Sequence, residues 1–136
     1  MTFFNELEEG VVWSDDIERS LLGFGEHMQS VILRADGIAI YRLVLMENNA
    51  DQQEIQRIYY KYGPQVAIKM LANYLDKQVD ADKIIIQDTY LAAAQFMEMI
   101  KGPFVNRLLF GEVISETEVH SALVQGVQIF MKGISK

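Results

Sequence analysis

The stretch Asp88–Phe110, DTYLAAAQFMEMIKGPFVNRLLF, decides how this chain folds. Between Tyr90 and Ile100 its only polar side chains are Gln95 and Glu98, which leaves a thin wet stripe on an otherwise apolar helix. Such a helix is buried. A membrane span needs roughly 20 uninterrupted apolar residues, and the charged ends here rule that out, so the surroundings must be protein. Asp88 is placed to cap the first turn. Gly102-Pro103 interrupts the pattern, because proline lacks the amide and crowds the preceding turn. The apolar positions continue through Phe104, Val105, Leu108 and Leu109, which predicts a kink or short break and not an exit from the core.

The rest of the chain supplies more helices. Phe3, Phe4 and Leu7 oppose Glu6, Glu8 and Glu9 in one amphipathic piece ending at Gly10. Ser14 or Asp15 is the expected cap of a second helix, whose face is Ile17, Leu21, Phe24, Met28, Val31 and Ile32. Gly23 and Gly25 flank Phe24 and either admit a close neighbour or loosen the turn. After Ala35-Asp36-Gly37, IAIYRLVLMEN reads as a second central helix, with Arg42 paired to a carboxylate such as Glu47 or anchoring a ligand acid. Asn48-Asn49-Ala50 reads as a turn, and Asp51 with Glu54 as a capping box. The helix that follows carries Ile55, Ile58, Tyr59 and Tyr62 on one stripe, with Tyr60 off it. Gly63-Pro64 closes it and opens the next, which buries Ala67, Met70, Leu71, Tyr74 and Leu75 and runs to about Val79. Ile84-Ile85-Ile86 is the one β-branched run. A lone strand would leave its backbone unpaired, so it reads as an extended connector. Ser115 and Glu118 box the start of a last helix with Val119, Ala122, Leu123, Gly126, Val127, Phe130 and Ile134 on one face.

At 136 residues the chain suits a single domain, residues 1–136, in an all-α class. With no cysteine, disulfides and thiolate chemistry are excluded, and the composition suits a reducing, cytoplasmic setting. No signal peptide or membrane segment is visible. Twelve Lys+Arg against 19 Asp+Glu give a formal charge of -7, which repels phosphate backbones, so this chain alone should not bind DNA. His27 and His120 are the only histidines and belong to separate helices. They form neither a catalytic constellation nor a metal site, so neither enzyme chemistry nor a cofactor is expected. What remains is a surplus of aromatic and sulfur side chains on inward faces, including Tyr41, Met97 and Met99. Apolar walls with a few hydroxyls are the composition of a small-molecule cavity.

Three strings in this order carry a resemblance: the arginine-centred helix Tyr41-Arg42-Leu43-Val44-Leu45-Met46-Glu47; the tyrosine-rich helix meeting Gly63-Pro64 and continuing through Leu71-Ala72-Asn73-Tyr74-Leu75; and Leu91-Ala92-Ala93-Ala94-Gln95-Phe96 leading to Leu108-Leu109-Phe110-Gly111. The chain resembles, from about Phe3 to Ile134, the C-terminal half of the tetracycline-repressor (TetR/AcrR) family of transcriptional regulators. The resemblance implies a helical bundle that binds a small-molecule effector and forms a homodimer through its last two long helices. The family's N-terminal helix-turn-helix has no counterpart in this sequence, which leaves open a trimmed fragment or a natural chain without it.

For the effector site, residues sharing inward faces are Phe24, Met28, Tyr41, Leu45, Tyr59, Tyr62, Met70, Tyr74, Phe96 and Ile100, suited to an apolar or aromatic molecule. For the dimer interface the expected residues are Leu91, Phe104, Leu108, Leu123, Val127, Phe130 and Met131. The competing reading is a helical dimerisation or adaptor module with a filled core and no ligand.

Overall fold

The computed structural model describes the backbone of residues 2–46 and 50–136, and the side chains of residues 5–46 and 53–136. Among them run seven helices: α1 (Thr2–Glu8), α2 (Ile17–Ile32), α3 (Ala35–Met46), α4 (Ala50–Tyr62), α5 (Pro64–Asp80), α6 (Thr89–Leu109) and α7 (Glu116–Ile134). The expected turn at Asn48-Asn49, the Glu47 partner for Arg42, the Asp51 cap and the packing of Phe3 and Phe4 lie outside what is described.

Helix α6 is central, as its sequence predicts. It packs against α5, α7, α2 and α3, and buries Ala93, Phe96, Met97, Ile100 and Phe104. Asp88 caps it by accepting from the Leu91 amide at 3.0 Å. No break occurs at Gly102-Pro103, and the helix continues through Pro103 to Leu109. Burial of Phe104 one residue beyond the proline keeps the chain on the core and outweighs the lost amide bond.

Close packing between α2 and α7 depends on glycine. A Cβ on Gly25 would stand 2.3 Å from Leu123 Cδ1, whereas one on Gly23 would meet nothing within 4 Å. Gly126 faces α6 less tightly: a Cβ there would make ordinary contact, 3.5 Å from Ile100 Cγ2. The same junction holds a buried amide that its sequence position did not announce. Gln29 Nε2 donates to the Ile100 carbonyl at 2.8 Å and to the Val119 carbonyl at 3.1 Å, joining α2, α6 and α7. The cap of α2 is Asp16, which accepts from the Arg19 amide, and not Ser14 or Asp15. Ser14 is instead occupied with Ser20, its amide donating to Ser20 Oγ at 2.9 Å.

Helix α3 departs from its reading as a central helix. Only Gly37 and Ile38 are buried in it, and Leu43, Leu45 and Met46 are more than half exposed. It lies at the edge of the bundle, touching α2, α4 and α6 along one side, so an apolar composition all round does not translate into burial all round. Arg42 consequently needs no buried carboxylate. Its Nη2 donates at 3.0 Å to the carbonyl of Leu109, the last residue of α6, where carbonyls lack helical donors and a cation complements the helix dipole.

The Ile84–Ile86 connector packs as expected at its first residue, which is 4% exposed. It makes a single antiparallel bridge to Ser135, with the Ile85 amide donating to the Ile134 carbonyl at 2.9 Å. Among the described residues, no helix is long and apolar enough to cross a membrane.

Candidate functional site

A partly open cavity of about 430 Å³ is lined by residues of α1 through α6. Its wall takes Leu7 from α1, Ile32 from α2, Gly37, Ile38 and Tyr41 from α3, Tyr59 and Tyr60 from α4, Gly63 from the junction after it, and Pro64, Ala67 and Ile68 from α5. From α6 come Ala94, Met97, Glu98, Lys101 and Val105. These last five recur at helical spacing and form a stripe beside the one that faces the core through Ala93, Phe96, Ile100 and Phe104. Glu98, read from sequence as part of a solvated stripe, therefore stands at the cavity.

The entrance wall is held by short-range contacts. Glycine at 63 and proline at 64 end α4 and start α5 within one residue, which folds α4 back over the opening and places Tyr59 and Tyr60 on it. Below them, Arg34 forks onto Asp36 with Nε to Oδ1 at 2.7 Å and Nη2 to Oδ2 at 2.9 Å, and reaches Glu6 with Nη1 at 2.7 Å. His27 Nε2 hydrogen-bonds the Glu6 carbonyl. Together these fasten α1 to the start of α3, where Leu7, Ile32, Gly37 and Ile38 meet the cavity. The hydrogen bonds from Arg34 hold the Asp36 carboxyl below its ordinary value.

Polar groups in the wall are few. The Tyr41 and Tyr59 rings are 6.0 Å apart and inclined by 32°. Burial raises the Tyr59 phenol above its ordinary value, with Tyr41 adding to the effect, so it stays neutral at physiological pH. Tyr60 and Tyr90 share a hydroxyl–hydroxyl hydrogen bond at 3.2 Å, which raises the Tyr60 phenol first, ahead of burial. Lys101 Nζ donates to Glu98 Oε1 at 2.8 Å. The arrangement suits binding: apolar walls enclose, and a handful of polar groups orient.

Of the ten residues expected at an effector site, the structure brings Tyr41 and Tyr59 to this cavity. Phe24, Met28, Phe96 and Ile100 are fully buried in the solid core behind it. There Phe96 packs on Phe24 at 6.4 Å and on Phe130 at 5.1 Å between ring centroids. Met70 and Tyr74 border a separate surface groove with Trp13. The Tyr74 ring stacks on Trp13 at 4.6 Å and its hydroxyl donates to the Ser14 carbonyl at 2.7 Å. Leu45 and Tyr62 are about half exposed on the outside of α3 and α4. The physical reason is common to all: an inward stripe on a helix is shared between core and cavity, and one step of about 100° separates them.

The residues expected at a dimer interface divide similarly. Leu123 and Val127 are 1% exposed, and Phe104 and Phe130 are also buried, all of them against the chain's own helices. Leu91 is 52% exposed, and Leu108 and Met131 are half-buried. Ile129, on the outer side of α7, is 54% exposed and was not singled out by its spacing.

Comparison with known proteins places this geometry. The family described as AefR-like transcriptional repressor, C-terminal domain, matches residues 19–133. Two solved structures share the fold. One is described as a TetR-family transcriptional regulator from Mesorhizobium loti MAFF303099, with a TM-score of 0.80 and 20% identity over 98% of this chain. The other, flavonoid-responsive regulator FrrA, gives a TM-score of 0.85 and 19% identity over 98% of this chain. The chain spans 65% of the length of the first and 69% of the second. No curated protein matches. The family match covers most of the sequence; the chain belongs to the TetR-type family of AefR-like transcriptional repressor C-terminal domains.

Proposed function

We propose that this chain is the effector-sensing and dimerisation part of a TetR-type regulator, taking an apolar or aromatic small molecule into the cavity lined by α1 through α6. The observation that carries the reading is the cavity of about 430 Å³, bordered by Tyr41, Tyr59 and Tyr60 and otherwise mostly apolar. That volume falls in the range of sites for drug-sized ligands. A filled-core adaptor has no use for such a space. FrrA, which shares the fold, is described as flavonoid-responsive, so a planar polycyclic aromatic is the natural first probe. For dimerisation, α6 and α7 lie side by side and leave Leu91 and Ile129 uncovered; these are the residues we propose meet a second copy. With a formal charge of -7 the chain is not itself proposed as a DNA contact.

The test is thermal and chemical denaturation with and without flavone. A ligand at 100 times its dissociation constant adds about 2.7 kcal/mol to the stability of a protein that binds only when folded. Ala94→Trp, which fills the cavity from the α6 wall, should abolish that gain while leaving the association state unchanged. No stabilisation of the parent chain by flavone or other polycyclic aromatics, or a full response in Ala94→Trp, would count against the reading.

A further inference from the structure

The cavity wall contains one ion pair, and its partners are unequally placed. The Lys101 side chain is 23% exposed and the Glu98 side chain 66%, although Nζ and Oε1 are only 2.8 Å apart. Lys101 is the one cationic side chain among the described lining residues, and Glu98 the one anionic. The lysine is therefore the more covered side chain of the two, its methylene stem lying along the wall, and the glutamate the more exposed one. Glu98 also has room to leave, since most of its surface already faces water.

We infer that the ligand class of this cavity is an aromatic acid, whose carboxylate replaces Glu98 as the partner of Lys101; the inference rests on the cavity being the ligand site. The exchange swaps one carboxylate for another, so the ammonium keeps an anionic hydrogen-bond partner throughout. Glu98 returns to water it largely contacts already. The aromatic body then packs on the Tyr41 and Tyr59 rings, which at 6.0 Å between centroids stand too close to sandwich a third ring but offer edges and offset faces. Met97, Ile38 and Ala94 supply the apolar floor. An aromatic cation is the rival, because tyrosine faces attract cations. It would have to pair with Glu98 at the rim and strip Lys101 of its partner, which the exposures disfavour.

Three probes of one shape separate these cases by calorimetric titration at neutral pH: naphthalene carboxylate, naphthalene carboxamide and naphthylmethylamine. The carboxylate should bind about tenfold or more tighter than the carboxamide, the worth of a charge-assisted hydrogen bond in a partly enclosed site. Lys101→Met, which keeps the length of the side chain, should erase that preference and leave carboxamide binding in place. Glu98→Gln, which weakens the competing partner, should strengthen carboxylate binding further. Equal affinities for carboxylate and carboxamide in the parent chain would overturn the acid assignment while leaving the cavity as a ligand site. Tightest binding of the amine would overturn it in favour of Glu98 as the anchor. If none of the three bound and flavone also failed to stabilise the chain, both this inference and the reading beneath it would fall.

Discussion

Leu123 Cδ1 lies 2.3 Å from the point where a side chain on Gly25 would begin, and this contact sets how closely α2 and α7 approach. Leu123 is 1% exposed, with Ile100 and Phe96 also within contact distance of the same point, so its methyl cannot simply swing aside. Gly25→Ala is expected to destabilise the fold by about 1–2 kcal/mol, as overpacking of about 1–3 kcal/mol exceeds the helix-propensity gain of up to about 1 kcal/mol. Gly23→Ala, two residues earlier with open space around it, should keep only the gain and stabilise. Urea denaturation of the pair decides it: the same sign for both would show that the α2–α7 approach is loose.

Gln29 ties three helices through one amide. Replacing it with leucine keeps the volume but removes both donated bonds and adds no partner for the Ile100 and Val119 carbonyls. A loss of about 1–3 kcal/mol is expected in chemical denaturation. A neutral outcome would mean that the carbonyls are satisfied by their own helices and the amide adds only shape.

Charge placed on the outer face of α7 should act differently from charge placed on its inner face. Ile129→Asp, at a position 54% exposed, should give a folded monomer if the proposed α6–α7 pairing is right, since a two-fold interface meets each change twice. Val127→Asp, at 1% exposure, should disrupt the fold itself by burying an unpaired carboxylate. Sedimentation velocity with circular dichroism separates the two effects; a parent chain that sediments as a monomer would remove the dimer proposal.

The Arg34 fork makes a prediction in acid. Asp36 has a folded-state pKa lowered from its ordinary value of 3.8, first by the hydrogen bond from Arg34. Its contribution to stability is thus complete above the unfolded value and is lost as pH falls through the lower folded value. Carboxyl titration by NMR should show Asp36 returning to the ordinary range in Arg34→Met. The same variant should loosen α1, whose end Arg34 also holds through Glu6. An unmoved Asp36 would show that the fork does not persist in solution.

Periodicity alone sufficed for the helices, their order, the Asp88 and Ser115 caps and the central place of α6. These depend on neighbours three or four residues apart, which a sequence displays directly. It also showed which faces are apolar, but not what each apolar face would meet. Phe96 and Met97 are adjacent in the chain and both apolar; one is sealed in the core and the other also borders the cavity, a difference set by the helices that pack on each side of α6. Glu98 belonged to a thin solvated stripe in the sequence, yet it stands with Lys101 in the cavity wall. Arg42 found a helix end 67 residues away instead of a buried carboxylate, and Trp13 found Tyr74 across a loop. Local sequence fixes the stripes because backbone geometry repeats every turn, whereas the cavity exists only because long-range packing leaves one sector of several stripes without a partner in this chain.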